Sequence, residues 1–257
     1  MEQLQRSIDA MVHKIREILA PGQASVYLYG SVAEGDFRPG WSDIDILVLT
    51  GAPLTQAQAE LLVGLRQRML EQDPDNPHYR AFEGGMRSLE GFLMGKPERV
   101  VYWGTSGQRI DRDYRFDSFG MWQLLRKGIL LSGPEIRGQL RMPGFEALKA
   151  DVRRHYETIR QHGGTPGADL YAYGWLLDIC RCIYTLRTGR VIAKTAAGEW
   201  ALGEGLCPCP EALERTLEIR REPERFLGRK ETFDDAKNLG PAILRFAQVL
   251  GGELDSR

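Results

Sequence analysis

Apolar residues recur at a helical period at the start of the chain. Leu4, Ile8, Met11, Val12, Ile15 and Leu19 share one side of a helix over 2–20, which Pro21-Gly22 stops. Two short apolar runs follow, Val26-Tyr27-Leu28-Tyr29 and Ile44 to Leu49, and both read as strands. Leu61, Leu62, Leu65 and Leu70 predict one helix over 55–72, with Thr55 as its N-cap and Asp73-Pro74-Asp75-Asn76-Pro77 as the break after it. Strands are expected over 79–86 and 99–103, a polar loop over 105–113, and a helix over 116–131 ended by Ser132-Gly133-Pro134. Past Met142-Pro143-Gly144 only helical patterns appear, over 145–161, 170–186, 210–221 and 233–250. The expectation is an α+β protein. Residues 1–143 form a mixed β-sheet flanked by helices, and 144–257 form an all-α helical bundle.

The candidate chemistry lies where the first two strands meet. Asp43 and Asp45 are two residues apart at the head of an otherwise apolar strand, so both carboxylates face one side. Adjacent acids repel unless a cation sits between them, and oxygen-only ligands favour magnesium. Upstream, Gly30 permits close backbone approach or positive φ. Ser31 supplies a hydroxyl and an N–H where Ser-Val-Ala-Glu can open a helix. A phosphate cradle beside a metal pair is the equipment of phosphoryl or nucleotidyl transfer.

Composition narrows the partners. The 257 residues carry a net charge of -1, which makes no case for bulk nucleic-acid binding. No apolar run is long enough for a membrane span, and MEQLQRSIDA does not read as a signal peptide. A cytoplasmic, monomeric enzyme acting on a small molecule is expected. Cys180, Cys182, Cys207 and Cys209 form two Cys-x-Cys pairs, spaced too closely for the usual zinc sites, and are read as reduced thiols.

Gly30-Ser31, Gly35 and Ser42-Asp43-Ile44-Asp45 resemble the signature of the DNA-polymerase-β-type nucleotidyltransferase superfamily. The resemblance implies that the Gly-Ser pair holds a triphosphate, that Asp43 and Asp45 bind two magnesium ions, and that Ser42 adds a hydroxyl contact. The segment between Ser31 and Asp43 is one residue longer than is commonest, and Gly40-Trp41 absorbs the extra length in the loop. An enzyme of this type needs a third carboxylate as metal ligand or general base. Glu83, flanked by Gly84 and Gly85, is preferred, and Glu90 is the alternative.

The run from Arg181 to Lys194, with Thr188-Gly189, Ala196-Ala197 and Trp200-Ala201, resembles the C-terminal domain of the streptomycin/spectinomycin adenylyltransferases. Trp122, Leu131 and Gly133-Pro134 resemble that family's linker. The resemblance implies ATP as co-substrate, an aminoglycoside-type acceptor held with it between two domains, and nucleotide contacts from Arg181 and Lys194. An ion pair of Arg181 with Asp178 is the plainer reading of a charge in so apolar a helix. Streptomycin-accepting members place a tryptophan and an aspartate just before the long helix. Here 161–169 holds no tryptophan: either Asp169 is a displaced equivalent or the site is absent, and the departure points to spectinomycin-like selectivity or to a different acceptor. Trp103 and Trp122 are candidate pocket walls. Two other readings compete: transfer to a protein or RNA end, and a non-catalytic nucleotide-binding or toxin–antitoxin module.

Overall fold

The computed structural model describes residues 2–104 and 107–256. The first helical pattern forms α1 (Glu2–Leu19), with all six of its periodic apolar residues buried. The two apolar runs become β1 (Ala24–Tyr29) and β2 (Ile44–Thr50), with the single turn α2 (Gly30–Ala33) between them in sequence. Next come α3 (Gln56–Val63), α4 (Leu65–Gln72), β3 (Phe82–Ser88), α5 (Leu89–Met94), β4 (Val100–Gly104), β5 (Gly107–Asp111), α6 (Ser118–Lys127) and β6 (Ile129–Ser132). The strands form one mixed sheet in the order β5-β4-β3-β2-β1-β6. Only β2 and β3 run parallel, and the segment with α3 and α4 is the crossover that a parallel pair requires.

Four expectations over 55–131 need correction. The helix over 55–72 is two helices, because Gly64, the poorest helix former short of proline, ends α3 and opens α4. Thr55 does cap α3, in a capping box with Gln58. Part of the polar loop over 105–113 is strand β5. An edge strand that is mostly solvated lacks the apolar alternation that would reveal it. The helix over 116–131 stops at Lys127, where Gly128 N–H closes on Leu124 O at 3.0 Å, and the apolar residues beyond it form edge strand β6 against β1. The strand over 79–86 begins later, after a 3₁₀ turn at Tyr79–Ala81.

The remaining elements are α7 (Phe145–His162), α8 (Leu170–Thr188), α9 (Lys194–Gly203), α10 (Pro210–Arg221), α11 (Lys230–Lys237) and α12 (Gly240–Ser256). The expected helix over 233–250 is therefore two, α11 and α12. No strand occurs after residue 145 among the described residues. Twelve of the nineteen residues of α8 are buried, and α7, α9, α10, α11 and α12 all pack on it. A helix apolar nearly all round belongs at the centre of a bundle.

The chain divides into two compact units. One comprises Met1–Gly35, Asp43–Phe116 and Gln123–Met142, and so holds the sheet. The other comprises Asp36–Ser42, Asp117–Trp122 and Pro143–Arg257. A single cut near 143 does not anticipate that 36–42 and 117–122 are packed with the helical bundle. Among the described residues no helix is long and apolar enough to cross a membrane.

Candidate active site

In the sheet unit, β1 ends at Tyr29 and the backbone turns at Gly30 with φ +63°. A methyl group at Gly30 would collide with the Asp45 carboxylate, and Ser31 Oγ donates to Asp43 O at 3.2 Å. The Gly-Ser turn and the Asp-x-Asp pair are thus in direct contact. Register explains why: Tyr29 lies opposite Asp45, and Asp45 lies opposite Glu83, so one row across β1, β2 and β3 carries both acids. Because α2 is a single turn, the cradle consists of local N–H groups rather than a long-helix dipole.

Two further residues close the acid row. Tyr102 Oη donates to Glu83 Oε1 at 2.9 Å. Burial, and next the Glu83 carboxylate, push the Tyr102 phenol up to about 12, so it remains a donor. Arg66 donates to Phe82 O at 2.6 Å and Gly104 O at 3.3 Å. Burial pulls its guanidinium down, against the opposing pull of the Glu83 and Asp43 carboxylates. Neither residue carries a sequence signal, since each is an ordinary member of a helix or strand until β3 and β4 are paired.

The donor set suits magnesium. It is all oxygen, and the glycine leaves room for the Asp45 carboxylate where a side chain would otherwise stand. Among the described residues no three His, Cys, Asp or Glu side chains converge as a metal cage. Magnesium commonly takes one or two carboxylates and completes its shell with phosphates and water.

In the helical unit, Arg181 Nη2 and Lys194 Nζ both lie 3.1 Å from Asp178 Oδ1. The two expected nucleotide cations thus share one counter-ion. The Arg181 guanidinium also stacks 5.3 Å from the centre of the Phe119 ring. Burial would raise the Asp178 carboxyl, but Lys194 and Arg181 outweigh it and hold the group at about 2, below its ordinary 3.8. A lowered folded-state pKa stabilises the fold above the ordinary value and loses that contribution as pH falls through the folded value. Wild type should lose on the order of 2 kcal/mol relative to Asp178→Asn between pH ~4 and ~2. Urea unfolding of both proteins at neutral pH and near the lower limit measures the shrinking gap.

The loop 36–42 is anchored in the same unit. Arg220 reaches Asp36 Oδ2 at 3.1 Å, Thr195 Oγ1 donates to Asp36 Oδ1 at 2.5 Å, and Trp41 is buried against Tyr173. Ser42 closes the turn: its Oγ accepts from Arg38 N–H at 2.9 Å and its N–H donates to Arg38 O at 2.8 Å.

Two family models match parts of the chain. Residues 12–96 match the model of a nucleotidyltransferase domain, and 143–223 match that of the aminoglycoside adenylyltransferase C-terminal domain. The chain carries a nucleotidyltransferase domain followed by an aminoglycoside adenylyltransferase C-terminal domain. A crystal structure of the spectinomycin adenyltransferase AAD(9) from Enterococcus faecialis, with ATP and spectinomycin, shares the fold. Its TM-score is 0.68 at 20% identity, over 96% of this chain and 99% of that one.

Within this adenylyltransferase fold, several expected site residues have other tasks. Trp103 is fully buried and its Nε1 donates to Leu62 O at 3.1 Å, so it is core rather than a pocket wall. Trp103→Ala should cost about 3–5 kcal/mol of stability, measured by denaturant unfolding. Trp122 is half-buried against the bundle core. Glu90 lies on α5, exposed and paired with Lys96 at 3.0 Å, which removes it as the rival base. Asp169 caps α8, accepting from Ala172 N–H at 3.3 Å. All four cysteines are buried and free of disulfides.

Proposed function

We propose that this protein transfers AMP from ATP, with magnesium, to a hydroxyl of spectinomycin, streptomycin or both, releasing pyrophosphate. The observation that carries the reading is the contact between Gly30 and the Asp45 carboxylate, which joins a phosphate-binding turn to a pair of metal-binding acids. Asp43 and Asp45 would hold the magnesium ions, which when bound neutralise charge on the triphosphate. Gly30 and Ser31 present N–H groups and a hydroxyl to the phosphates, and Ser42 adds a hydroxyl. Arg181 and Lys194 contribute cationic contacts to the nucleotide by exchanging the Asp178 carboxylate for phosphate. Glu83 takes the proton from the acceptor hydroxyl. The acceptor oxygen then bonds to the α-phosphorus, the bond to the β-phosphate oxygen breaks, and pyrophosphate leaves.

The spectinomycin-bound neighbour and the absence of tryptophan in 161–169 favour spectinomycin as acceptor. The test is pyrophosphate release from ATP and magnesium with spectinomycin, streptomycin and other aminoglycosides offered singly. Release with spectinomycin supports the reading, and release with streptomycin as well widens it. Silence across the panel with ATP binding intact means a different acceptor, and silence without ATP binding removes the enzyme reading.

A further inference from the structure

Tyr102 is built into the sheet unit more rigidly than a surface tyrosine needs to be. It lies on β4 opposite Gly85 of β3, and Gly85 shares its face of the strand with Glu83. Gly85 has no side chain, and the ring of Tyr114 fills that place. The Tyr114 ring lies 5.6 Å from that of Tyr102. On β5, Arg109 is the direct partner of Tyr102 and sets its guanidinium 4.4 Å from the ring centre. The phenol is therefore braced by an aromatic ring and a cation, and its hydroxyl reaches one oxygen of Glu83 at 2.9 Å.

We propose that Tyr102 is a positioning residue for the Glu83 carboxylate, holding Oε1 so that Oε2 is presented to the acceptor hydroxyl. This rests on the reading of Glu83 as general base. The logic is that of any oriented base: a carboxylate on a flexible stem samples several rotamers, and a fixed donor on one oxygen selects among them. Arg66, hydrogen-bonded to the carbonyl of Phe82 just before Glu83, fixes the backbone from which that stem departs. The glycines that flank the site serve the same end. Gly84, at φ +145°, has no room for a side chain against the β2 backbone, and Gly85 admits the ring that braces Tyr102.

The test is Tyr102→Phe, which keeps the braced ring and removes only the hydroxyl. With the aminoglycoside that turns over, kcat should fall about 10-fold while the KM values for ATP and acceptor stay within twofold and the unfolding midpoint is unchanged. A double-mutant cycle with Glu83→Gln separates positioning from a general structural effect. If Tyr102 acts through Glu83, Tyr102→Phe costs nothing further in the Glu83→Gln background, whereas a structural role makes the two losses multiply. Crystal structures supply a readout that needs no acceptor: Glu83 should hold one rotamer in the wild type and leave it in Tyr102→Phe. Unchanged kcat, multiplicative losses, or an unmoved Glu83 rotamer would overturn the inference. Full activity in Glu83→Gln would instead overturn the base assignment on which it rests.

Discussion

Asp43→Asn should cut turnover by about 10³-fold or more, about 4 kcal/mol in the barrier, without unfolding the protein. Amide oxygen is a far weaker ligand than carboxylate for a hard divalent cation, so the loss falls on magnesium and through it on the triphosphate. The fold survives because Asp43 precedes β2 and is only half-buried, while the buried apolar residues of that strand are untouched. Relief of repulsion between neighbouring acids can even raise the unfolding midpoint slightly. The measurements are pyrophosphate release at saturating magnesium and ATP, and thermal unfolding of the metal-free proteins. Asp45→Asn should behave alike. An Asp43→Asn protein with wild-type kcat would remove the metal assignment.

Gly30→Ala carries the second largest effect, and it strikes both halves of the site at once. The backbone there has φ +63°, which costs an L-residue about 1–2 kcal/mol. The added methyl also meets the Asp45 carboxylate, so either the turn or the acid must move. A displacement of this kind between the phosphate cradle and its metal ligand should lower kcat/KM about 100-fold. Denaturant unfolding reports the strain separately from the kinetics. A variant that loses stability but keeps kcat/KM would mean that the Gly-Ser turn is only a structural corner.

The pair of acids and the turn were legible because their pattern is local. A glycine-serine step after an apolar run, and two acids at alternate positions heading the next, constrain one another within twenty residues. The third acid beside the pair was legible less securely. Glu83 and Glu90 look alike in sequence, and only the pairing of β2 with β3 sets Glu83 opposite Asp45, while α5 carries Glu90 into solvent beside Lys96. The tryptophan was misjudged for a related reason. An indole in a short strand can line a pocket or fill a core, and Trp103 fills the core because α3 offers the Leu62 carbonyl to its N–H. Edge strand β5 was missed because a solvated edge carries little hydrophobic pattern, and β6 because Ile129-Leu130-Leu131 prolongs the apolar run of the helix before it.

The sequence alone determined the class of this protein: an α+β half, a helical half, and the turn and acids of a nucleotidyltransferase between its first two strands. Periodicity and short motifs encode these features because each depends on residues close together in the chain. Tertiary structure alone decided the partnerships across the chain. It gave Glu83 to Tyr102, brought Lys194 to the Asp178–Arg181 pair that helical spacing already offered, and tied loop 36–42 to Arg220 and Thr195. Half-buried charges must find counter-charges or hydrogen-bond donors, and which group answers is set by strand register and helix packing rather than by neighbours in sequence.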